Sequence, residues 1–238
     1  MGRKITAEVY DNNVIAEGVQ FQVDTYYQPQ STAQQRRIAF VLGELNPQPQ
    51  DIILDIGCGV GTFAYHCAKK GARTYGIDYS RQSIKVAAEL AERFATAERS
   101  SFVVGSALSL PFAEAFFDKI VCVDFIEHIT HAEKDVLLKE IYRVLKPNGK
   151  GIIFTPNALR EDIGVWYWKL RHYLFKERIP KTDLHYGLIG RKSFESMLRG
   201  RGFNFRFRYA DTTRPFLAGA PVFRHALALN LMWMVEKR

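Results

Sequence analysis

Between residues 54 and 61 the chain reads Leu54-Asp55-Ile56-Gly57-Cys58-Gly59-Val60-Gly61, a glycine-spaced turn joining a short apolar run to an amphipathic segment. Glycines in such a turn let backbone N–H groups approach a ligand with no Cβ in the way, and in an open parallel sheet ligands sit beyond the C-terminal strand ends. A dinucleotide fingerprint requires its third glycine five residues after Gly57, where Thr62 stands, so the spacing is GxGxG rather than GxGxxG and argues against NAD. Asp78 follows Gly57 by 21 positions and closes a second apolar run in Gly76-Ile77-Asp78-Tyr79-Ser80. A carboxylate at that strand end accepts hydrogen bonds from both hydroxyls of a ribose. An Asp that merely starts a turn before an N-capping Ser80 explains the residue type but not its distance from the glycines.

A second group follows the fourth apolar run, in Asp124-Phe125-Ile126-Glu127-His128. Two roles fit His128: a general base that takes a proton from an acceptor, or an anchor of the next turn by hydrogen bonding. Asp124, Glu127 and His128 fall at i, i+3 and i+4, so one helical turn would aim all three at a divalent ion. An Asp and a Glu that orient the histidine or cap a helix account for the same residues, and no metal is assigned. Upstream, Arg36 and Arg37 lie where an arginine would pair with a ligand carboxylate, although a solvated helix face explains them equally well. Tyr26 and Tyr27 are close enough in sequence to close the site.

The elements that must position these residues alternate short apolar runs with amphipathic segments. Residues 31–45 place Ile38, Val41, Leu42 and Leu45 on one helical face, and Asn46–Gln50, with two prolines, ends that helix. Strand-like runs then occur at Ile52–Ile56, Thr74–Ile77, Phe102–Val104, Ile120–Phe125 and Gly151–Thr155. Helical periods at Val60–Lys70, Ser80–Phe94 and 133–145 separate them, the last stopping at Pro147-Asn148-Gly149. A final helix around Phe194, Met197 and Leu198 precedes strands at Phe203–Tyr209 and Leu229–Val235. This rhythm predicts an α/β fold: a Rossmann-like, doubly wound, mostly parallel seven-stranded sheet with an N-terminal helix. Residues 1–30 and 158–186 stay outside the regular pattern. The first is expected to be a lid segment before a domain spanning 31–238, and the second an insertion on the substrate side after the fifth strand.

The 238 residues suit one α/β domain, and no apolar run nears the ~20 residues of a membrane span. Polar sequence after the N-terminus implies no secretory signal, so a cytoplasmic protein is expected. Cys58, Cys67 and Cys122 are an odd number without paired spacing, consistent with reduced thiols. The net charge of +8 is uneven: residues 1–159 hold 17 Lys/Arg against 18 Asp/Glu, and residues 160–238 hold 16 against 7. In 158–186, Ile163, Trp166, Tyr167, Leu170 and Leu174 fall on one helical face, with Trp168 and Phe175 off it beside Lys169, Arg171, His172, Lys176 and Arg178. A helix packed on the domain, a lid over the acceptor, and peripheral contact with an anionic membrane each fit that pattern.

Taken in order, Leu54–Gly61, Gly76–Ser80, Gly105-Ser106-Ala107 with Leu110-Pro111-Phe112, and Phe117-Asp118-Lys119-Ile120-Val121 resemble the class I S-adenosylmethionine-dependent methyltransferases. The resemblance covers about residues 50–155. It implies S-adenosyl-L-methionine as cofactor, its methionine end held by Asp55 and the turn Gly57, Cys58, Gly59 and Gly61. It further implies that Asp78 meets the ribose and that Ser106 and Ala107 meet the adenine; Arg37, Tyr79 and Val123 are also expected among the cofactor-binding residues. Relatives commonly carry an acidic residue in the slot of Ser106, where a hydroxyl or a backbone carbonyl would have to serve here. More narrowly, Asp124–His128, Leu145-Lys146-Pro147-Asn148-Gly149 and Phe154-Thr155-Pro156-Asn157 resemble the ubiquinone-biosynthesis O-methyltransferases, which methylate phenolic oxygens on prenylated rings; the Glu-His pair and the Thr-Pro-Asn turn also occur in relatives with other substrates. The expected reaction is methyl transfer to oxygen or nitrogen of a small-molecule or lipid-like acceptor, with His128 as the catalytic candidate. A nucleic-acid partner is not the expected one: Asp124-Phe125-Ile126-Glu127 stands where an Asn/Asp-Pro-Pro-Tyr/Phe motif would fall, which counts against base amino-group methylation but not against every RNA substrate, and RNA or other nucleic-acid methylation and a catalytically silent binding protein are the alternatives.

Overall fold

The apolar runs form a sheet whose two faces are both buried, which is why they read as continuous rather than alternating. A computed structural model describes residues 6–159, 173, 186–210 and 228–238. Its strands are β1 (Ile52–Ile56), β2 (Arg73–Asp78), β3 (Ser100–Val104), β4 (Phe117–Val123), β5 (Leu145–Pro156), β6 (Phe203–Ala210) and β7 (Asn230–Lys237). They lie in the order β3-β2-β1-β4-β5-β7-β6, with β7 antiparallel to both of its neighbours. The chain leaves β1 for β2 on one side and later returns to place β4 on the other, so a crevice opens beyond the C-terminal ends of β1 and β4.

Side chains alternate across β1 and β4. Leu54, Ile56, Ile120 and Cys122 face one layer, where they meet α5 (His131–Val144) through Leu137, Leu138 and Ile141, and α6 (Arg191–Gly200) through Phe194 and Leu198. Ile53, Val121 and Val123 face the other, against Val41 and Leu45 of α2 (Thr32–Leu45) and Phe63 and Cys67 of α3 (Thr62–Ala68). α4 (Arg81–Arg93) starts at Ser80, whose hydroxyl accepts from the Ser83 N–H at 2.9 Å. Cys58, Cys67 and Cys122 are buried free thiols.

Three sequence expectations change in the structure. Residues 1–30 contain a helix, α1 (Ala7–Gln22), running into a π-helical turn at Val23–Tyr27. Its pattern is hard to read because Gly18, at φ 75°, breaks the helical backbone, and because Val9, Ile15 and Phe21 point outward. β4 ends at Val123 rather than Phe125, because Asp124 takes φ 51° and turns the chain out of the ladder. α5 ends at Val144, before Pro147-Asn148-Gly149, and the strand runs through those three residues: Phe117 pairs with Leu145 but Lys119 with Lys150, so they are absorbed as a bulge in β5. The apolar and basic residues of 160–172 and 174–185, and with them the expected insertion and its membrane contact, lie outside the described residues. Among the described residues no helix is long and apolar enough to cross a membrane.

Candidate functional site

The glycine turn after β1 is built by its neighbours. Gly57 and Cys58 N–H groups donate to the Ile77 carbonyl at 2.9 and 3.1 Å, tying the turn to β2. Gly57, Gly59 and Gly61 all have positive φ (66°, 50° and 85°), and a Cβ on Gly57 would stand 2.4 Å from the Phe125 ring. Tyr27 donates its hydroxyl to the Val60 carbonyl at 2.7 Å and stacks on Tyr65 at 4.4 Å. The residue therefore braces the turn from the core, while Tyr26 is the one of the pair that lines the cleft.

Two carboxylates complete the turn. Asp55, 3% exposed, accepts from the Ala64 N–H at the start of α3 at 3.0 Å, and burial pushes its carboxyl up to about 7. Asp78 accepts from Gly59 N–H through one oxygen and from Ser80 N–H through the other, each at 2.9 Å; burial raises its pKa also, opposed by those N–H donors. Asp78 thus shapes the glycine turn as well as bordering the cleft. From α1, Asp11 accepts from Ser80 Oγ at 2.6 Å and from Gln82 N–H at 2.9 Å, latching the N-terminal helix to the first turn of α4.

The cleft itself has two adjoining cavities of about 400 and about 190 Å³. The larger is bordered by Arg37, Asp55, Gly57, Cys58, Gly59 and Val123; the smaller by Gly105, Ser106 and Ala107. Gly57, Asp78, Tyr79, Phe125 and His128 border both. Gly61 supports the turn from behind, against Phe102. Ser106 Oγ accepts from the Leu108 N–H at 3.2 Å, which leaves its proton to donate elsewhere.

Arg37 is paired with Asp124 and lies 5.2 Å over the Phe154 ring, so its charge is engaged within the protein, whereas Arg36 is exposed. His128 ends a 3-10 turn, Ile126–His128, with Nε2 4.0 Å from the Glu127 carboxylate. Glu127 is buried and accepts from Thr155 Oγ1 at 2.9 Å. Asp124 precedes the turn and faces Arg37, so the i, i+3, i+4 alignment of Asp124, Glu127 and His128 does not form. No three His, Cys, Asp or Glu side chains among the described residues are grouped to hold a metal ion.

Sequence reading missed Tyr10, Asp11 and Phe125, all of which border or brace the cleft. Tyr10 and Asp11 carried no signal because α1 lacks a clear apolar period. Phe125 was hidden because it was assigned to a strand.

A family described as a methyltransferase domain matches residues 54–153. Norajmaline N-methyltransferase of Rauvolfia serpentina is 35% identical over 120 residues, 50% of this chain and 40% of that protein. A sterol 4-C-methyltransferase of Caenorhabditis elegans is 25% identical over 190 residues, 74% of this chain and 56% of that protein. The chain thus aligns with about half or less of the length of these curated relatives. Among solved structures, a phosphoethanolamine N-methyltransferase 2 of Haemonchus contortus superposes with a TM-score of 0.70 at 19% identity, covering 98% of this chain and 60% of that one. Motif order and the family match coincide over the same stretch, and residues 54–153, which carry β1 to β5 of the sheet, match the methyltransferase-domain family.

Proposed function

We propose that the protein transfers a methyl group from S-adenosylmethionine to oxygen or nitrogen of a small-molecule or lipid-like acceptor. The observation that carries this reading is the coupling of Asp78 to the Gly59 N–H at 2.9 Å, which holds a ribose-accepting carboxylate and the glycine turn as one unit at the sheet's switch point. Asp55 and the Gly57–Gly61 turn would hold the methionine end, Asp78 and Tyr79 the ribose, and Gly105, Ser106 and Ala107 the adenine. The cofactor supplies the electrophilic methyl carbon. The protein's part is alignment, an effect that reaches roughly 7–11 kcal/mol of barrier when the geometry is near-attack.

Binding is tested by thermal unfolding. S-adenosylhomocysteine at ~100 times its dissociation constant should add about 2.7 kcal/mol to the folded state, and NAD should add nothing. Equal stabilisation by NAD, or none by the methylation cofactor and its product, would contradict the site reading. Incubation with methyl-labelled cofactor and a cell extract split into lipid, small-molecule and nucleic-acid fractions then identifies the acceptor class; label confined to nucleic acid would overturn the small-molecule assignment.

His128 is proposed as the base. It borders both cavities, and the buried Glu127 behind it at 4.0 Å stabilises an imidazolium once a proton is taken. His128→Asn should lower turnover by roughly 10²–10⁴-fold and remove one ionisation from the pH–rate profile, with cofactor affinity kept. Full activity in that variant would make the histidine an anchor of the 126–128 turn only.

A further inference from the structure

The stripe that α5 turns to the core consists of Lys134, Leu137, Leu138, Ile141 and Val144. Its first member is a lysine that is 0% exposed. A buried ammonium costs stability unless it is bonded and countered, and a leucine or methionine would complete the stripe, so packing alone does not account for it. Lys134 Nζ donates to the Ile129 carbonyl at 2.5 Å, next to the Ile126–His128 turn. Residues 186–190, which lead into α6, close over the same place. Gly187 N–H donates to the Glu127 carbonyl at 2.8 Å, and a Cβ on Gly187 would stand 1.9 Å from the Ile129 oxygen and 2.9 Å from Lys134 Nζ. The lysine and the 186–190 segment thus hold the two carbonyls that flank His128.

The charges at this turn oppose a base. The Glu127 carboxylate, buried and 4.0 Å from His128 Nε2, favours the imidazolium, whereas a histidine that is to take a proton must first be neutral. A cation is needed to offset that carboxylate. Burial lowers the Lys134 pKa to about 8, opposed by Glu127 and Glu133, so the side chain remains an ammonium at neutral pH. The groups around the histidine ring do not supply the cation: Tyr10 and Tyr79 are phenols that burial holds above their ordinary range, and Tyr186, Asp78 and Glu133 carry no positive charge. Arg37 is engaged by Asp124, and His131, at the start of α5, is exposed beside the Leu188 carbonyl at 3.4 Å.

We propose that Lys134 is a positioning residue for methyl transfer: its buried ammonium holds the Ile129 carbonyl under Gly187 and offsets the Glu127 carboxylate, which keeps the His128 imidazole fixed in its turn and neutral until the acceptor's proton arrives. The proposal rests on the reading of His128 as the base and names the residue that keeps that base available. Lys134 borders neither cavity, so it acts through its charge and through Ile129 and not by touching donor or acceptor.

The test reads the His128 imidazole titration by NMR in the full chain saturated with S-adenosylhomocysteine, the signal being assigned by its loss in His128→Asn. Lys134→Met removes the charge and the hydrogen bond, whereas Lys134→Gln removes the charge and keeps an N–H for the Ile129 carbonyl. In both, the His128 midpoint should rise by about one pH unit, a tenfold gain of imidazolium over imidazole at a given pH. Unchanged S-adenosylhomocysteine affinity shows that a variant is folded, and either variant suffices. A midpoint that stays or falls overturns the proposal, as does a rise in Lys134→Met that Lys134→Gln does not share, since the lysine would then serve the turn by hydrogen bonding alone. In the wild type the His128 signal should show a second, smaller inflection near pH 8, where Lys134 loses its own proton; a single inflection overturns the proposal however the variants fold. Full activity in His128→Asn overturns the base reading and this role of Lys134 with it, whether or not the midpoint moves.

Discussion

Asp78→Ala is expected to weaken S-adenosylhomocysteine binding by about 10- to 100-fold in titration calorimetry, the scale of losing hydrogen bonds to a charged acceptor. Two losses combine. The carboxylate no longer receives the ribose hydroxyls, and the Gly59 N–H loses its 2.9 Å acceptor, which frees a turn whose glycine at φ 50° has many other conformations open to it. Ser80 still caps α4 through its own hydroxyl and remains bonded to Asp11, so the fold should persist. Asp78→Asn separates the two terms, since its amide oxygen can still accept one N–H while the charge is gone; it should fall between wild type and the alanine variant. Because burial raises the Asp78 pKa, wild-type affinity should decline as pH falls through that pKa and the carboxylate is neutralised. Unchanged affinity in Asp78→Ala would remove Asp78 from the donor site.

The parts of this site that the sequence made legible are those whose spacing is imposed by the sheet. A glycine turn must follow β1 directly, and Asp78 must sit at the end of the adjacent strand, so their separation of 21 residues is the length of one helix and one strand. The mostly parallel sheet covered by helices followed from the βαβ rhythm for the same reason. What stayed hidden depends on contacts between segments remote in sequence. Asp11 reaches α4 across 69 residues to meet Ser80, and nothing local to α1 announces it. Arg37 was read toward a ligand carboxylate, yet its partner within the protein is Asp124, which could be identified only once the chain was seen to turn at positive φ after β4. The metal alternative depended on the same residue, because i, i+3, i+4 spacing brings three side chains together only if all three are helical.

Asp55→Asn should stabilise the ligand-free protein at pH 8 while weakening cofactor binding, and the two effects together distinguish a functional carboxylate from a structural one. A carboxyl moved from its ordinary value of 3.8 to about 7 by burial binds its proton more tightly in the folded chain than in the unfolded one. Between these two values the folded state holds more protons, so stability falls as pH rises from about 4 to about 7 and stays reduced above. The full cost of ionising such a group in the fold is on the order of 4 kcal/mol, and its neighbour Asp78 adds to it by like charge. An asparagine escapes this cost but accepts from the α3 N-terminus with an uncharged oxygen only, so a net gain on the order of 2–4 kcal/mol is expected above pH 7. Below pH 4 the advantage should vanish, because the wild-type carboxyl is then protonated in both states. Denaturant unfolding of both proteins at several pH values between 4 and 8 reads this directly. Parallel stability curves would show that Asp55 does not titrate in that window, and an asparagine variant that binds S-adenosylhomocysteine as tightly as wild type would show that its charge is spent on the fold alone. The cofactor brings positive charge to this corner of the cleft, so its binding should be tightest where Asp55 is ionised, in the pH range where the ligand-free fold is weakest.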